Sequence, residues 1–161
     1  MSGCGSTKTV TTTVTVATPP KTDLGPPRIR SEFGHIKSLT RKGNHYEMRF
    51  DPAWFLSGVT ANRAAAEDGA VEPGQPVPND NYVLEEGHRS LTYLVKPDAK
   101  VTVLVNNPSG ILSTPVTVAK LASLVKGQNV PGLKLYEPLD SGIWITTDID
   151  TVKKIDQQYR P

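Results

Sequence analysis

The fold is decided by residues 33–50, which read FGHIKSLTRKGNHYEMRF. Two strand-like runs flank the turn residues Arg41-Lys42-Gly43-Asn44, and this pattern predicts a β-hairpin. In the second run Tyr46, Met48 and Phe50 alternate with polar residues, so these three side chains share one buried face.

The register of this hairpin has two alternatives. A two-residue turn at 42–43 places Phe50 opposite His35, and a three-residue loop over 42–44 places Phe50 opposite Ile36. Because a one-residue slip exchanges the two faces of a strand, we expect the second register, which pairs apolar with apolar.

Downstream of the hairpin, short apolar runs and turn signals outline the other elements. Pro97-Asp98 is a turn signal, which predicts a second hairpin between strands at 91–95 and 101–105. The remaining predictions are strands at 82–84 and 142–147, a helical turn at 51–58, and helices at 60–68, after Thr117 and at 148–159.

This order of elements predicts a β-rich α+β domain. Short strands joined by hairpins usually close a small antiparallel barrel or a curled sheet, here OB-like or SH3-like, with one or two helices packed on it. Residues 30–161 have the size of a single domain. The Thr/Pro-rich residues 1–29 are interpreted as a disordered tether, because they contain no apolar periodicity.

Cys4 is the single cysteine of the chain, and it follows Ser2-Gly3. Ser-Gly-Cys matches the end of a bacterial lipobox, at which a signal peptide is cut and the new N-terminal cysteine is acylated. A chance cysteine is the alternative. No apolar run is longer than four residues; since a spanning helix needs about 20 apolar residues, membrane contact is expected through the lipid alone.

A candidate binding group lies where the first hairpin ends. Trp54 and Phe55 follow Arg49 and Asp51, and an aromatic beside a charged pair suits the recognition of a sugar or a peptide. Tryptophan is more often buried, so we expect Trp54 to plug the end of the barrel rather than to form a ligand surface, and Trp144 to lie in the core.

The sequence predicts no catalytic residue, metal site or cofactor. No nucleophile elbow, zinc-protease, P-loop or dinucleotide motif occurs. His35, His45 and His88 are expected at the surface. The acidic sets 148/150/156 and 79–81 with Glu85-Glu86 lack the glycine and closing glutamate of a calcium loop.

Four short segments resemble uncharacterised secreted lipoproteins of actinobacteria, namely residues 34–39, 50–54, 78–83 and 156–161. The resemblance implies export and anchoring at Cys4, and it brings no activity with it.

Three functions follow from these patterns. We expect an extracytoplasmic, lipid-anchored lipoprotein with a non-enzymatic domain that binds a partner protein or a cell-wall glycan. The first alternative is an envelope enzyme that acts on wall polymers through carboxylates of the 70–86 region. The second is an OB-like binder of single-stranded nucleic acid; an extracytoplasmic location argues against this one. The residues that favour nucleic-acid binding are Lys37, Arg41, Lys42, Arg49, Tyr46 and Trp54.

Overall fold

The computed structural model describes residues 28–85, 87 and 89–160. The predictions for Cys4, for all but the last two residues of the tether, and for Glu86 and His88 therefore lie outside the described residues. The strands are β1 (Ile29–Lys42), β2 (His45–Ser57), β3 (Asn81–Leu84), β4 (Leu91–Asn107), β5 (Gly110–Val116), β6 (Ile143–Asp148) and β7 (Thr151–Gln157). The helices are α1 (Gly58–Glu67) and α2 (Val118–Val125).

Five strands close into a barrel, which confirms the predicted fold class. Around the ring, β1 pairs with β2, β2 with β4, β4 with β7, β7 with β6, and β6 with β1. The β4–β7 pair is parallel and the other four are antiparallel. Helix α2 lies in the sequence between β4 and β6, the third and fourth strands of the barrel. Of the OB-like and SH3-like arrangements that we expected, the structure has the OB-like one.

Two strands extend the sheet outside the ring. β3 pairs with the last part of β2, and β5 pairs with the second half of β4. β5 was not predicted from the sequence; it begins at Gly110 and contains Pro115, and both residue types are uncommon in strands.

The barrel interior is apolar. Its largest fully buried side chains include Phe50, Leu39, Met48, Leu121, Ile143, Ile145 and Ile155. Burial of each such side chain contributes about 1.5–3 kcal/mol relative to exposure. Helix α2 covers this core with Val118, Leu121 and Ala122. A smaller apolar cluster joins Ala61 and Ala65 of α1 to Val77.

The first hairpin has the predicted apolar pairing with a different turn. Lys42 pairs with His45 across a two-residue turn at Gly43 and Asn44, and a bulge at Lys37 then brings Ile36 opposite Phe50. The predicted partners near the turn are therefore wrong by one residue. A bulge inserts one unpaired residue and restores the alternation of faces beyond it.

The predicted helical turn at 51–58 is wrong, because β2 continues as a strand through Ser57. Gly34 lies opposite Pro52, and a Cβ atom on Gly34 would come within 2.2 Å of the Asp51 carbonyl oxygen. The two backbones thus approach closely, and tertiary pairing overrides the Asp-Pro capping signal. The second helix is confirmed as α1, and Thr117 caps α2 by accepting a hydrogen bond from the Lys120 N–H at 3.2 Å.

The predicted turn at Pro97-Asp98 is also wrong, since β4 runs unbroken from Leu91 to Asn107. The Pro97 region coincides with a register shift between Val95 and Lys100 in the pairing with β7. Pro97 has no N–H to donate to a ladder, so it fits an irregular point of a strand. β4 changes its antiparallel partner there, from β2 to β5, instead of reversing direction.

The predicted C-terminal helix is a strand, β7. Val152 and Ile155 both face the core although they are three residues apart. A register shift opposite Thr146 and Thr147 leaves Lys153 unpaired in the β6–β7 ladder. This bulge produces a helix-like spacing of apolar residues in an extended segment.

Candidate functional site: an aromatic cleft beside the barrel

The candidate site forms where β2 leaves the barrel to pair with β3. β6 alternates, with Ile143 and Ile145 in the core and Trp144 on the outer side. Phe33 of β1 pairs with both Ala53 and Trp144, so one outer face carries side chains from three strands. The strand pairing therefore collects aromatic residues that are far apart in the sequence.

Three aromatic rings meet on this face. The ring centroid of Phe33 lies 5.2 Å from that of Phe55 and 5.3 Å from that of Trp144. Phe55 and Trp144 lie 6.2 Å apart in an edge-to-face arrangement. Such spacings are favourable for aromatic pairs, each worth about 0.5–1.5 kcal/mol beyond the buried area. The cluster is therefore a rigid wall.

Two contacts hold this wall in place. The Trp144 indole N–H donates a hydrogen bond to Gln158 Oε1 at 2.6 Å. Phe33 is only 3% exposed, and its ring lies directly against the backbone of Gly142.

Trp54 forms the outer edge of the site. It is 56% exposed, whereas Phe55 is half-buried in the aromatic cluster. The cleft between Trp54 and the cluster has a volume of about 560 Å³. Its lining residues are Ser31, Glu32, Phe33, Pro52, Ala53, Trp54, Phe55 and Trp144.

Trp54 also borders a second hollow, of about 400 Å³, between β2 and α1. Leu56, Val59 and Leu84 supply its apolar lining, and Arg63 and Glu67 supply its charged lining. Those two side chains pair with each other on α1, at 3.0 Å. Trp54 is thus a ridge between two hollows.

The predicted roles of the tryptophans as core residues are wrong. Trp54 is exposed because β2 pairs from residue 54 with β3, which lies outside the barrel ring. Its side chain therefore does not close the end of the barrel. Trp144 is half-buried on the outside of β6, because its strand alternates and the inward positions belong to Ile143 and Ile145.

The structure does not assemble all four predicted binding residues. Trp54 and Phe55 line the cleft. Asp51 Oδ2 instead pairs with Lys37 Nζ at 3.0 Å, and Arg49 Nη1 donates to Thr92 Oγ1 at 2.8 Å. Both charged side chains therefore contact other residues of the barrel, and neither lines the cleft. Ligand binding by Arg49 and Asp51 stays a prediction.

Phe33 and Trp144 were not predicted as site residues from the sequence. Phe33 directly precedes the first hairpin run, and Trp144 lies in an apolar strand, so neither differs from an ordinary core residue in sequence. The alternation of β6 was the available signal, since it places the Trp144 side chain on the other face of the strand from Ile143 and Ile145.

The polar lining of the cleft is small. Ser31 and Glu32 supply it, and Glu32 Oε2 accepts a hydrogen bond from the Tyr93 hydroxyl at 2.6 Å. Burial, and next this bond to Glu32, raises the pKa of the Tyr93 phenol. A phenol that stays protonated remains a donor, so one oxygen of Glu32 is held by the barrel.

The histidines and acidic residues have local partners. His35 Nε2 contacts Glu85 Oε1 at 2.6 Å, and His45 Nδ1 contacts Asn44 Oδ1 at 3.2 Å. Asp148 pairs with Arg28, and Asp156 pairs with Lys154. Within residues 28–85, 87 and 89–160, no group of three or more His, Cys, Asp and Glu side chains could hold a metal ion.

Not all of the residues proposed for nucleic-acid binding lie on the surface. Tyr46 is buried in the core, so its ring is unavailable for stacking on a base. Lys42 lies at the hairpin turn opposite His45, nine positions before Trp54 on β2. At about 3.3 Å per residue of strand, the path along β2 from His45 to Trp54 is roughly 30 Å.

Comparisons of this chain with protein-family models, with curated proteins and with solved structures find no match. In the described part of the chain, no helix has the length and apolar character required to cross a membrane. The aromatic cleft is therefore the feature on which a functional conclusion depends.

Proposed function

We propose that this protein is an envelope lipoprotein whose barrel domain is a non-enzymatic binding module, and that the aromatic cleft takes a segment of a partner protein. One observation carries the proposal: Trp54 is 56% exposed beside a fixed wall formed by Phe33, Phe55 and Trp144.

Exposure of a tryptophan at the edge of a cleft favours binding over packing. Tryptophan is a frequent hot spot of protein interfaces, because a large rigid ring gives contact area at low entropic cost. The cleft volume of about 560 Å³ is in the usual range for ligand sites, which are lined mainly by apolar and aromatic side chains with a few polar groups.

The lining favours a protein segment over a glycan. A sugar ring presents many hydroxyl groups, which need hydrogen-bonding partners when they are buried. Ser31 and Glu32 are the polar side chains of the lining, and Glu32 already binds Tyr93. An apolar or proline-containing segment requires fewer side-chain partners there.

The envelope location rests on the amino-acid sequence. Ser2-Gly3-Cys4 supports acylation of Cys4, and the Thr/Pro-rich residues that follow suit a spacer between lipid and domain. The described chain begins at Arg28, next to the first residue of β1 and close in sequence to the cleft residue Ser31. A tether of this kind would present the cleft to other envelope proteins.

The experiment compares Trp54→Ala with Leu112→Ala. Leu112 is a matched control because it is also an exposed large apolar residue, on β5, which does not line the cleft. Wild type and both variants are immobilised and exposed to solubilised envelope proteins and, separately, to isolated cell-wall glycan. Loss of a hot spot worth about 2 kcal/mol weakens binding about 30-fold, so we expect this loss for Trp54→Ala alone.

Treatment of the envelope fraction separates the two classes of ligand. Protease digestion should abolish the Trp54-dependent binding, and digestion of the glycan should leave it unchanged. Trp54-dependent retention of the purified glycan would instead assign the cleft to a wall polymer. Equal binding by wild type and Trp54→Ala in every arm would refute a binding role for the cleft.

A further inference from the structure

We propose that, in the absence of a partner, the cleft is occupied by residues 17–25 of the same chain, with Pro19-Pro20 against the aromatic wall. This inference rests on the proposed function, since it assigns a competing occupant to the same site. Residues 17–25 lie outside the described part of the chain, so the features that favour docking belong to the cleft and to the amino-acid sequence.

The position of the described N-terminus allows this docking. The chain enters the domain at Arg28, and Ser31, Glu32 and Phe33 of the same strand line the cleft. The distance from Arg28 to Phe33 along β1 is roughly 17 Å at about 3.3 Å per strand residue. Residues 20–28 can span up to about 26 Å when extended, which is enough to return to the cleft. Gly25-Pro26 is a turn signal at the point where the chain must reverse.

The hydrogen-bonding groups of the cleft match a proline-containing segment. Among the described residues, the Trp54 side chain has no hydrogen-bond partner, so its indole N–H is a donor available to a ligand. Proline has no N–H, and polyproline segments leave their carbonyl groups unpaired. Aromatic grooves bind such segments through ring contacts and donors to these carbonyls. A segment with few donors also suits a cleft with few acceptors.

The charges are complementary as well. Lys21 follows Pro20, and Glu32 is the acidic residue in the lining of the cleft. Tyr93 donates to Glu32 Oε2, which leaves Oε1 of the same carboxylate to receive a cation. An ion pair at this partly buried position would set the direction in which the segment lies.

Intrinsic fluorescence tests the docking directly, because both tryptophans of the chain line the cleft. Acrylamide quenching is measured on the full chain at low micromolar concentration, for wild type and for Pro19→Ala/Pro20→Ala. We expect quenching of the exposed tryptophan to increase about twofold in the variant, because stacking covers one of the two faces of an indole ring. Thr12→Ala/Thr13→Ala is the control in the same N-terminal region and should quench like wild type.

A synthetic peptide of residues 17–25, added to the Pro19→Ala/Pro20→Ala protein, should restore the wild-type quenching. The same peptide should protect less when Glu32, the proposed partner of Lys21, is replaced by Gln, a variant that keeps both tryptophans as reporters. Equal quenching of wild type and the double proline variant, with no protection by the peptide, would overturn the inference. The proposed function would stand in that case, because its own test depends on Trp54→Ala with the N-terminal segment intact.

Protection that increases with protein concentration would assign the cleft to the segment of a second copy. This outcome would overturn docking within one chain.

Discussion

The ring of Phe33 occupies the space in which Gly142 would carry a Cβ atom. A Cβ atom built at residue 142 would lie 2.2 Å from Phe33 Cζ, and Gly142 has a φ of 125°, which side chains rarely adopt. This contact fixes Phe33, and through it the wall of the aromatic cleft, against the start of β6.

We therefore expect Gly142→Ala to destabilise the domain by more than the strain of its backbone alone. Overpacking costs about 1–3 kcal/mol, and an unfavourable φ adds about 1–3 kcal/mol. Gly127→Ala is the matched control, because Gly127 has a φ of 72° and no atom near the added carbon. Urea unfolding should show a larger loss for Gly142→Ala; equal losses would contradict the packing of Phe33 on residue 142.

Trp54→Ala should leave the fold intact. An exposed side chain that is deleted from the surface changes the free energy of unfolding by less than about 1 kcal/mol. Phe50 lies four residues earlier on β2 and is fully buried. Phe50→Ala should therefore lower the free energy of unfolding by about 3–5 kcal/mol. Thermal melts of the two variants make the comparison, and a loss of several kcal/mol for Trp54→Ala would mean that the ring is packed.

The Tyr93 phenol should make the stability depend on alkaline pH. Burial, and next the hydrogen bond to Glu32, raises its pKa above the usual value of 10. The stabilisation is therefore complete below about pH 10 and is lost as the pH rises toward the folded-state pKa.

Tyr93→Phe removes this titration. Urea midpoints between about pH 8 and pH 11 should fall more steeply for wild type than for Tyr93→Phe. Tyr82 and Tyr136, whose pKa values are also raised, are present in both proteins and cancel in the difference. Parallel curves would show that burial and the bond to Glu32 do not raise the pKa of Tyr93 in solution.

Acylation at Cys4 should decide membrane association. The protein is expressed behind a bacterial signal peptide, and its partition into a detergent phase is compared with that of Cys4→Ala. Because stable anchoring needs acyl chains where no apolar segment substitutes for them, we expect the wild type in the detergent phase and the variant in the aqueous phase. Recovery of both proteins in the membrane fraction to the same extent would remove the lipoprotein interpretation.

Much of the barrel could be predicted because local patterns agree with it. The alternation of Tyr46, Met48 and Phe50 defined the inner face of β2, and Thr117 marked the start of α2. The errors occur where a bulge changes the period. Lys153 leaves the β6–β7 ladder, so Val152 and Ile155 share the core at a spacing that a helix would also have.

The candidate site was predicted only in part, and for a similar reason. Trp54 and Phe55 were singled out because they are adjacent to charged residues, but Arg49 and Asp51 bind Thr92 and Lys37 instead. Which groups converge on Trp54 depends on strand pairing over long sequence separations, and no local pattern contains it.

By itself, the sequence determined a β-rich α+β fold with a cap-defined helix after Thr117, because alternation and capping are properties of neighbouring residues. Only the tertiary structure decided that Phe33, Phe55 and Trp144 form one wall and that Trp54 stands free beside it. The reason is that the pairing of β2 with β1 ends at Ala53 and its pairing with β3 begins at Trp54, and these long-range pairings are not encoded in neighbouring residues.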